Sequence, residues 1–236
     1  SLGIGGLLLA PPNILCAQEK IDFIPRSLDP IIRLSSNENP YGPSKRVQER
    51  IKNSFVHACR YPYAYSDGLE LILAKKHGVD PESIIVTGGS TEGLKITGLT
   101  FASNGGEIIS GQPTFLAMMK FAEQWGASVN WVPVGADKGY DLDEIEKRIS
   151  SKTKLVFVNH VSNALGTVNP IKEIINKAHG YEALVLIDGA QACPHIKPDL
   201  QALDVDFYVT SAHKLCGPTG VGMLSLIHIS EPTRPQ

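Results

Sequence analysis

From Ser83 onward the chain alternates short apolar, β-branched runs with longer segments of helical period, and this alternation restricts the fold more than any other feature. The apolar runs are Ser83 to Val86, EIIS, SVNWVPV, KLVFVNHV, ALVLID, DFYVT and VGMLSL. Between them lie segments predicted as helices, at Thr91 to Phe101, Pro113 to Trp125, Asp141 to Ile149 and Ile171 to His179. Parallel strands need crossovers long enough to hold a helix, and successive βαβ units share one hand. The expected class is therefore α/β, with a mostly parallel, doubly wound sheet of about seven strands.

Composition narrows the partners. With 236 residues, 42% of them hydrophobic, the chain can fill one large core or a domain and a half. A formal net charge of −2 gives no reason to expect nucleic acid or an acidic membrane. Cys16, Cys59, Cys193 and Cys216 show neither CxxC pairing nor zinc-type spacing with histidine, so they read as scattered thiols of a reducing compartment and no metal is expected. No run reaches the length of a membrane-spanning helix, and there is no internal repeat.

Residues 1–30 stand apart. SLGIGGLLLAPPNILCAQ is either the rear of an export signal, cleaved after Ala17, or a loosely packed N-terminal arm. The first alternative implies a periplasmic or exported protein and the second a cytoplasmic one. IIRLSSNENPYGPS follows, where Asn39-Pro40 and Gly42-Pro43 forbid a helix. Ser44 is positioned to cap a helix whose apolar face is Val47, Ile51, Phe55 and Ala58, and Leu69 to His77 resumes a helix after RYPYAYSDG.

The chemistry gathers at strand ends, where ligands of open α/β sheets sit. Ala183 to Ile187 delivers Asp188, and Phe207 to Thr210 delivers Ser211, His213 and Lys214. TGGSTEG places free backbone N–H groups and a helix N-terminus together at Ser90 and Thr91, a seat for an anion. A buried acid, a lysine and an anion seat suit pyridoxal 5'-phosphate. The lysine amine forms the Schiff base, and the carboxylate keeps the pyridine nitrogen protonated. Phe115 either stacks on the cofactor ring or packs in the core. Asn163 is placed to bond a ring hydroxyl, while His160 reads as a satisfied core or loop histidine.

These motifs resemble fold-type I pyridoxal-phosphate enzymes, with the two halves resembling different branches. LSSNENPYGPS, RYPY, VTGGSTEG and GQPTF, to about residue 153, resemble histidinol-phosphate aminotransferases. HVSNALGTVNPI, LIDGAQACPH and DVDFYVTSAHKLCGPTGVGML, from about residue 154, resemble class V enzymes, above all cysteine desulfurases. The resemblance implies Lys214 as the Schiff-base lysine, Asp188 on the pyridine nitrogen and Gln191 on the ring hydroxyl. It implies Ser90, Thr91, Ser211 and His213 on the phosphate, with Asn163 near the ring hydroxyl and substrate. Phe115 stands where class V enzymes stack a histidine, and Tyr41 matches an aminotransferase tyrosine that reaches the phosphate across a dimer interface. Neither NPNNPTG nor DEAY of the aminotransferases is present, and none of the cysteines occupies the place of the desulfurase nucleophile.

Three functions remain open on this basis. One is a cysteine desulfurase, turning L-cysteine into L-alanine and an enzyme persulfide, as a homodimer that hands sulfur to an acceptor protein. The second is a histidinol-phosphate-type aminotransferase acting on a small amino-acid substrate. The third is an inactive chimeric or truncated reading frame. LSLIHISEPTR, Leu224 to Arg234, resembles a translated sequencing adapter, so residues 31–223 are expected as the large domain, 224–236 as a non-native tail, and the C-terminal small domain as missing.

Overall fold

The structure is a computed structural model that describes residues 36–227. The expectations for residues 1–30 and for the last part of the tail lie outside the described residues. From Asn37 onward the described chain forms one compact unit. In chain order it comprises α1 (Lys45–Ser54), α2 (Tyr63–His77), β1 (Ile84–Thr87), α3 (Ser90–Ala102), β2 (Glu107–Gln112), α4 (Ala117–Glu123) and β3 (Ser128–Pro133). There follow α5 (Leu142–Arg148), β4 (Thr153–Asn159), α6 (Ile171–His179), β5 (Leu184–Asp188), α7 (Leu200–Leu203), β6 (Phe207–Ser211) and β7 (Gly222–Leu226).

The seven strands form one sheet in the order β1-β7-β6-β5-β4-β2-β3. β2 to β6 are mutually parallel, and β7 runs antiparallel to both β6 and β1. The exception has a local cause. Each parallel pair is joined through a helix, whereas β6 returns into β7 through the short segment after Lys214, which leaves room only for reversal. Winding changes direction between β2 and β4, which is the switch point of the sheet.

Strand alternation sends side chains into two cores. Val156, Val158, Val185 and Ile187 face α5 and α6 through Ile145, Ile171, Ile174 and Ile175. Leu155, Phe157, Leu186 and Phe207 face α3 and α4 through Leu94, Met118 and Met119. Each fully buried side chain of this size contributes about 1.5–3 kcal/mol, so a sheet covered on both faces is stable and its strand ends become fixed platforms.

Several boundaries differ from the sequence expectation. The helix expected from Pro113 begins at Ala117, because Thr114 Oγ1 donates to Asn159 Oδ1 at 2.9 Å and holds residues 113–116 across the strand ends. α2 begins at Tyr63 rather than Leu69, its first turn fastened by Ser66 Oγ to Tyr63 O at 2.8 Å. Ser44 caps α1 as expected, accepting from Val47 N at 3.3 Å, but the apolar stripe of α1 is not buried, with Phe55 69% exposed. β7 follows the expected VGMLSL run to Leu226, with Leu224 buried in the cluster of Leu94 and Phe207 and Leu226 packed against it.

Candidate active site

Asp188 ends β5 and aligns with Asn159 on β4 and Val209 on β6. Its Oδ1 accepts from Ala190 N at 2.9 Å. Burial raises this carboxyl above the ordinary carboxylate range, while the Ala190 N–H and the charge of Lys214 pull it back down. Gly189 permits the chain to turn here. A Cβ on it would lie 2.0 Å from the Tyr208 ring, and Tyr208 is fully buried with its hydroxyl 2.9 Å from His160 Nδ1. His160 is thus the satisfied core histidine expected from sequence.

Lys214 lies in the single 3-10 turn Ala212–Leu215 that follows β6. It is half-buried, and burial lowers its ammonium below the usual range while the Asp188 carboxylate opposes the shift. Each charge is therefore poorly solvated and supported by the other. Burial thus makes the ammonium easier to deprotonate than that of a surface lysine.

Gln191 meets the lysine. Its Oε1 accepts from Lys214 Nζ at 3.2 Å and from Asn37 Nδ2 at 3.0 Å. The same Asn37 amide donates to the backbone oxygen of Asn163 at 2.7 Å. Asn163 therefore enters through its carbonyl, with its side chain exposed at the loop closed by the Val161–Val168 bridge. A cavity of about 300 Å³ opens here, lined by Asn37, Tyr41, Gln191, His195, Lys214 and Cys216. Asn39 Nδ2 lies 3.5 Å from Cys216 Sγ, and Ser44 N donates to Cys216 O at 3.3 Å, so the NENPYGPS segment lies across the lysine turn.

The anion seat is assembled by backbone. Gly222 aligns with Ser211, and a Cβ on Gly222 would lie 2.5 Å from Gly89 C and 2.7 Å from Ser90 N. Glycine on β7 thus lets the Gly89–Ser90 turn rest directly on the strand beside Ser211. Gly89 has φ 97°, which favours glycine, and α3 starts at Ser90. Across the seat, Ser211 Oγ lies 2.7 Å from His213 Nδ1. Burial, then the Lys214 charge, lowers the His213 imidazolium, with Glu38 opposing, so the ring is held neutral near pH 7.

Phe115 is 40% exposed beyond the end of β2, so the alternative of a core position is excluded. Beside it lies a polar cluster that the sequence reading missed. Asn159 Oδ1 accepts from Thr114 Oγ1 and from the hydroxyl of Tyr140, and Asn169 Nδ2 donates to Asn159 O at 2.7 Å. Gly111 makes room for this cluster, since a Cβ would fall 1.8 Å from the Tyr140 ring. Tyr41 is 90% exposed at the cavity edge. Burial pushes the Cys193 thiol up to about 11, so it is not a thiolate near neutrality, and Cys59 and Cys216 are exposed. Among the described residues no cluster suits a metal ion, and no helix is long and apolar enough to cross a membrane.

Residues 70–235 match the aminotransferase class-V family, a span that contains both the anion seat and Lys214. The chain belongs to the aminotransferase class-V family. Within it, a probable cysteine desulfurase of Halalkalibacterium halodurans is 38% identical over 168 residues, covering 68% of this chain and 41% of the relative. The cysteine desulfurase of Synechococcus elongatus is 36% identical over 187 residues, covering 73% of this chain and 30% of the relative. A solved NifS-like protein superposes with a TM-score of 0.72 at 27% identity, covering 82% of this chain and 58% of that one. The chain thus spans well under half the length of these curated class-V relatives.

Proposed function

We propose that this class-V chain holds pyridoxal 5'-phosphate through Lys214 and forms the cofactor-binding part of a cysteine desulfurase. The carrying observation is the mutual support of Asp188 and Lys214 at adjacent strand ends, with Gln191 bonded to the lysine. The residues fit the cofactor. Gly222 lets the Gly89–Ser90 turn close onto β7 beside Ser211, whose hydroxyl pairs with His213, and α3 opens there at Ser90 and Thr91 with donors suited to a phosphate. When bound, the cofactor supplies an electron sink for a bond broken at the substrate α-carbon.

The protein's own contributions follow from the site. Asp188 presents an anion to a ring nitrogen, and Lys214 offers an amine able to take and return a proton. Phe115, exposed beyond the end of β2, would supply an aromatic face to stack on the ring. L-cysteine is the substrate suggested by the desulfurase relatives, with alanine released and the sulfur passed to a thiol other than the buried Cys193. A homodimer fits the exposed Phe55, Val56, Tyr61 and Tyr63, and an acceptor protein would take the sulfur onward. One observation favours histidinol-phosphate-type amino-group transfer as a second reading. Asn37, in the segment resembling that branch, bonds directly to Gln191 and Asn163.

Borohydride reduction of the chain mixed with pyridoxal phosphate, followed by peptide mapping, is expected to place the label on Lys214. A label spread over surface lysines would refute the assignment. Adding L-cysteine to the loaded chain is expected to change its visible absorbance, whereas a change with glutamate or histidinol phosphate alone would select the second reading. Phe115→Ala is expected to weaken cofactor binding by about 1 kcal/mol without altering the unfolding midpoint of the cofactor-free chain. Unchanged affinity in an equilibrium titration would remove Phe115 from the site.

A further inference from the structure

We infer that a second cavity, at the end of α2, binds a small organic acid, with the anionic head between Lys76 and Lys197 and a short apolar body below it. The site stands apart from the cofactor reading, which neither supports nor needs it. The cavity has a volume of about 420 Å³ and lies between the last turn of α2, residues 193–198 after β5, and strands β6 and β7. Small-molecule sites have volumes of about 300–1,000 Å³. Pro194 and His195 form a wall shared with the cavity at Lys214, and Lys214 itself does not line the second one.

Charge, apolar surface and one buried hydroxyl set the ligand chemistry. The walls carry cations and no carboxylate, and neither Lys76 nor Lys197 has an ion-pair partner among the described residues. Their charges converge: after burial, both lysines lower the imidazolium of His77, which lines the same cavity. The C-terminal end of α2 accounts for Lys76 and His77, because cations favour that end of a helix. It does not account for Lys197, which arrives from residues 193–198. Both lysines are exposed and stand at the mouth, whereas Met223 and Thr210 are buried and form the base. Leu73, Ile196 and Met223 make the lining apolar between them. Thr210 is only 7% exposed, and its hydroxyl has no hydrogen-bond partner among the described residues. A hydroxyl buried without a partner is unfavourable, and an oxygen at the far end of a ligand would satisfy it.

Hexanoate, octanoate, their ω-hydroxy counterparts and neutral octanol, titrated into the full chain, test the site. Calorimetry follows binding, and NMR of the ring protons follows His77. Octanoate is expected to bind more tightly than octanol. Lys76→Gln and Lys197→Gln change exposed side chains and so keep the fold; each is expected to weaken octanoate by about twofold to fivefold, the range of exposed charge pairs, and to leave octanol unchanged. An ω-hydroxyl should tighten binding of at least one acid in the parent but not in Thr210→Val, which keeps the branched shape and removes the hydroxyl. Bound octanoate should raise the titration midpoint of His77, because an anion offsets the two lysine charges acting on it, and octanol should not. Octanol binding as well as octanoate, or bound octanoate that leaves His77 unmoved, would overturn the inference. So would binding that is lost in Lys214→Ala and kept in both lysine-to-glutamine variants, which would place the acid in the other cavity. Failure of every acid to bind at millimolar concentration would overturn it too, and would leave the assignment of Lys214 untouched.

Discussion

Gly189→Ala is expected to destabilise the folded chain by about 3–5 kcal/mol, at the upper end of single-residue effects. The added Cβ would stand 2.0 Å from Tyr208 Cε1, 2.2 Å from Cζ and 2.4 Å from the hydroxyl oxygen. Tyr208 cannot withdraw, because it is fully buried between β5 and β7 and its hydroxyl is bonded to His160. Relief therefore requires moving the ring, which breaks that bond, or moving the turn that carries Asp188. Overpacking costs about 1–3 kcal/mol and a buried polar group left unpaired about as much again. Urea unfolding followed by circular dichroism measures the loss, and Tyr208→Phe alone isolates the hydroxyl share. A loss below about 1 kcal/mol would mean that the Asp188 turn is not locked to Tyr208.

This dependence explains why the sheet was legible from sequence and parts of the site were not. The near-unbroken apolar runs in KLVFVNHV and ALVLID carry the strand assignment, because fully buried parallel strands are apolar on both faces. Asp188 and Lys214 were legible for the same reason, as charged residues set at the ends of such runs. The fate of α1 was not. Its amphipathic stripe predicts a buried face, yet among the described residues nothing covers it, since periodicity specifies a face but not a partner. The start of α4 was misjudged because Thr114 is held by Asn159 from another strand, a constraint with no local signature.

Asn37 shows the same limit more sharply. It lies 126 positions from Asn163 and 154 from Gln191, so no spacing rule connects them. NENP reads locally as a turn, and only the closed sheet brings its amide to the lysine turn. Tyr140 and Gly111 were hidden for a related reason: each makes sense only as the other's neighbour. Glycine positions therefore held usable information about the site, since Gly89, Gly111, Gly189 and Gly222 all border it.

Asp188→Asn is expected to separate chemistry from stability. In cofactor-loaded protein, exchange of the substrate α-proton with solvent deuterium should slow by on the order of 10²–10³-fold, the loss typical when one preorganised electrostatic partner is removed. Covalent attachment at Lys214 should persist, because the amide keeps the size of the carboxyl and Lys214 retains Gln191. Without cofactor the effect reverses sign. Burial raises the Asp188 carboxyl, so the folded state takes up that proton more readily than the unfolded chain. Stability from this group is present at low pH and is lost as pH rises through the folded-state value. The amide escapes that loss, so the variant should match the parent below about pH 4 and equal or exceed it at neutrality. The gain is partly offset, because Lys214 is already lowered by burial and would lose the anion that raises it. Urea midpoints at both pH values and the exchange rate together decide the matter. A variant that exchanges within about tenfold of the parent would show that the Asp188 charge does not serve the chemistry. One that is less stable at neutral pH would show that the carboxylate is favoured there and overturn the raised value.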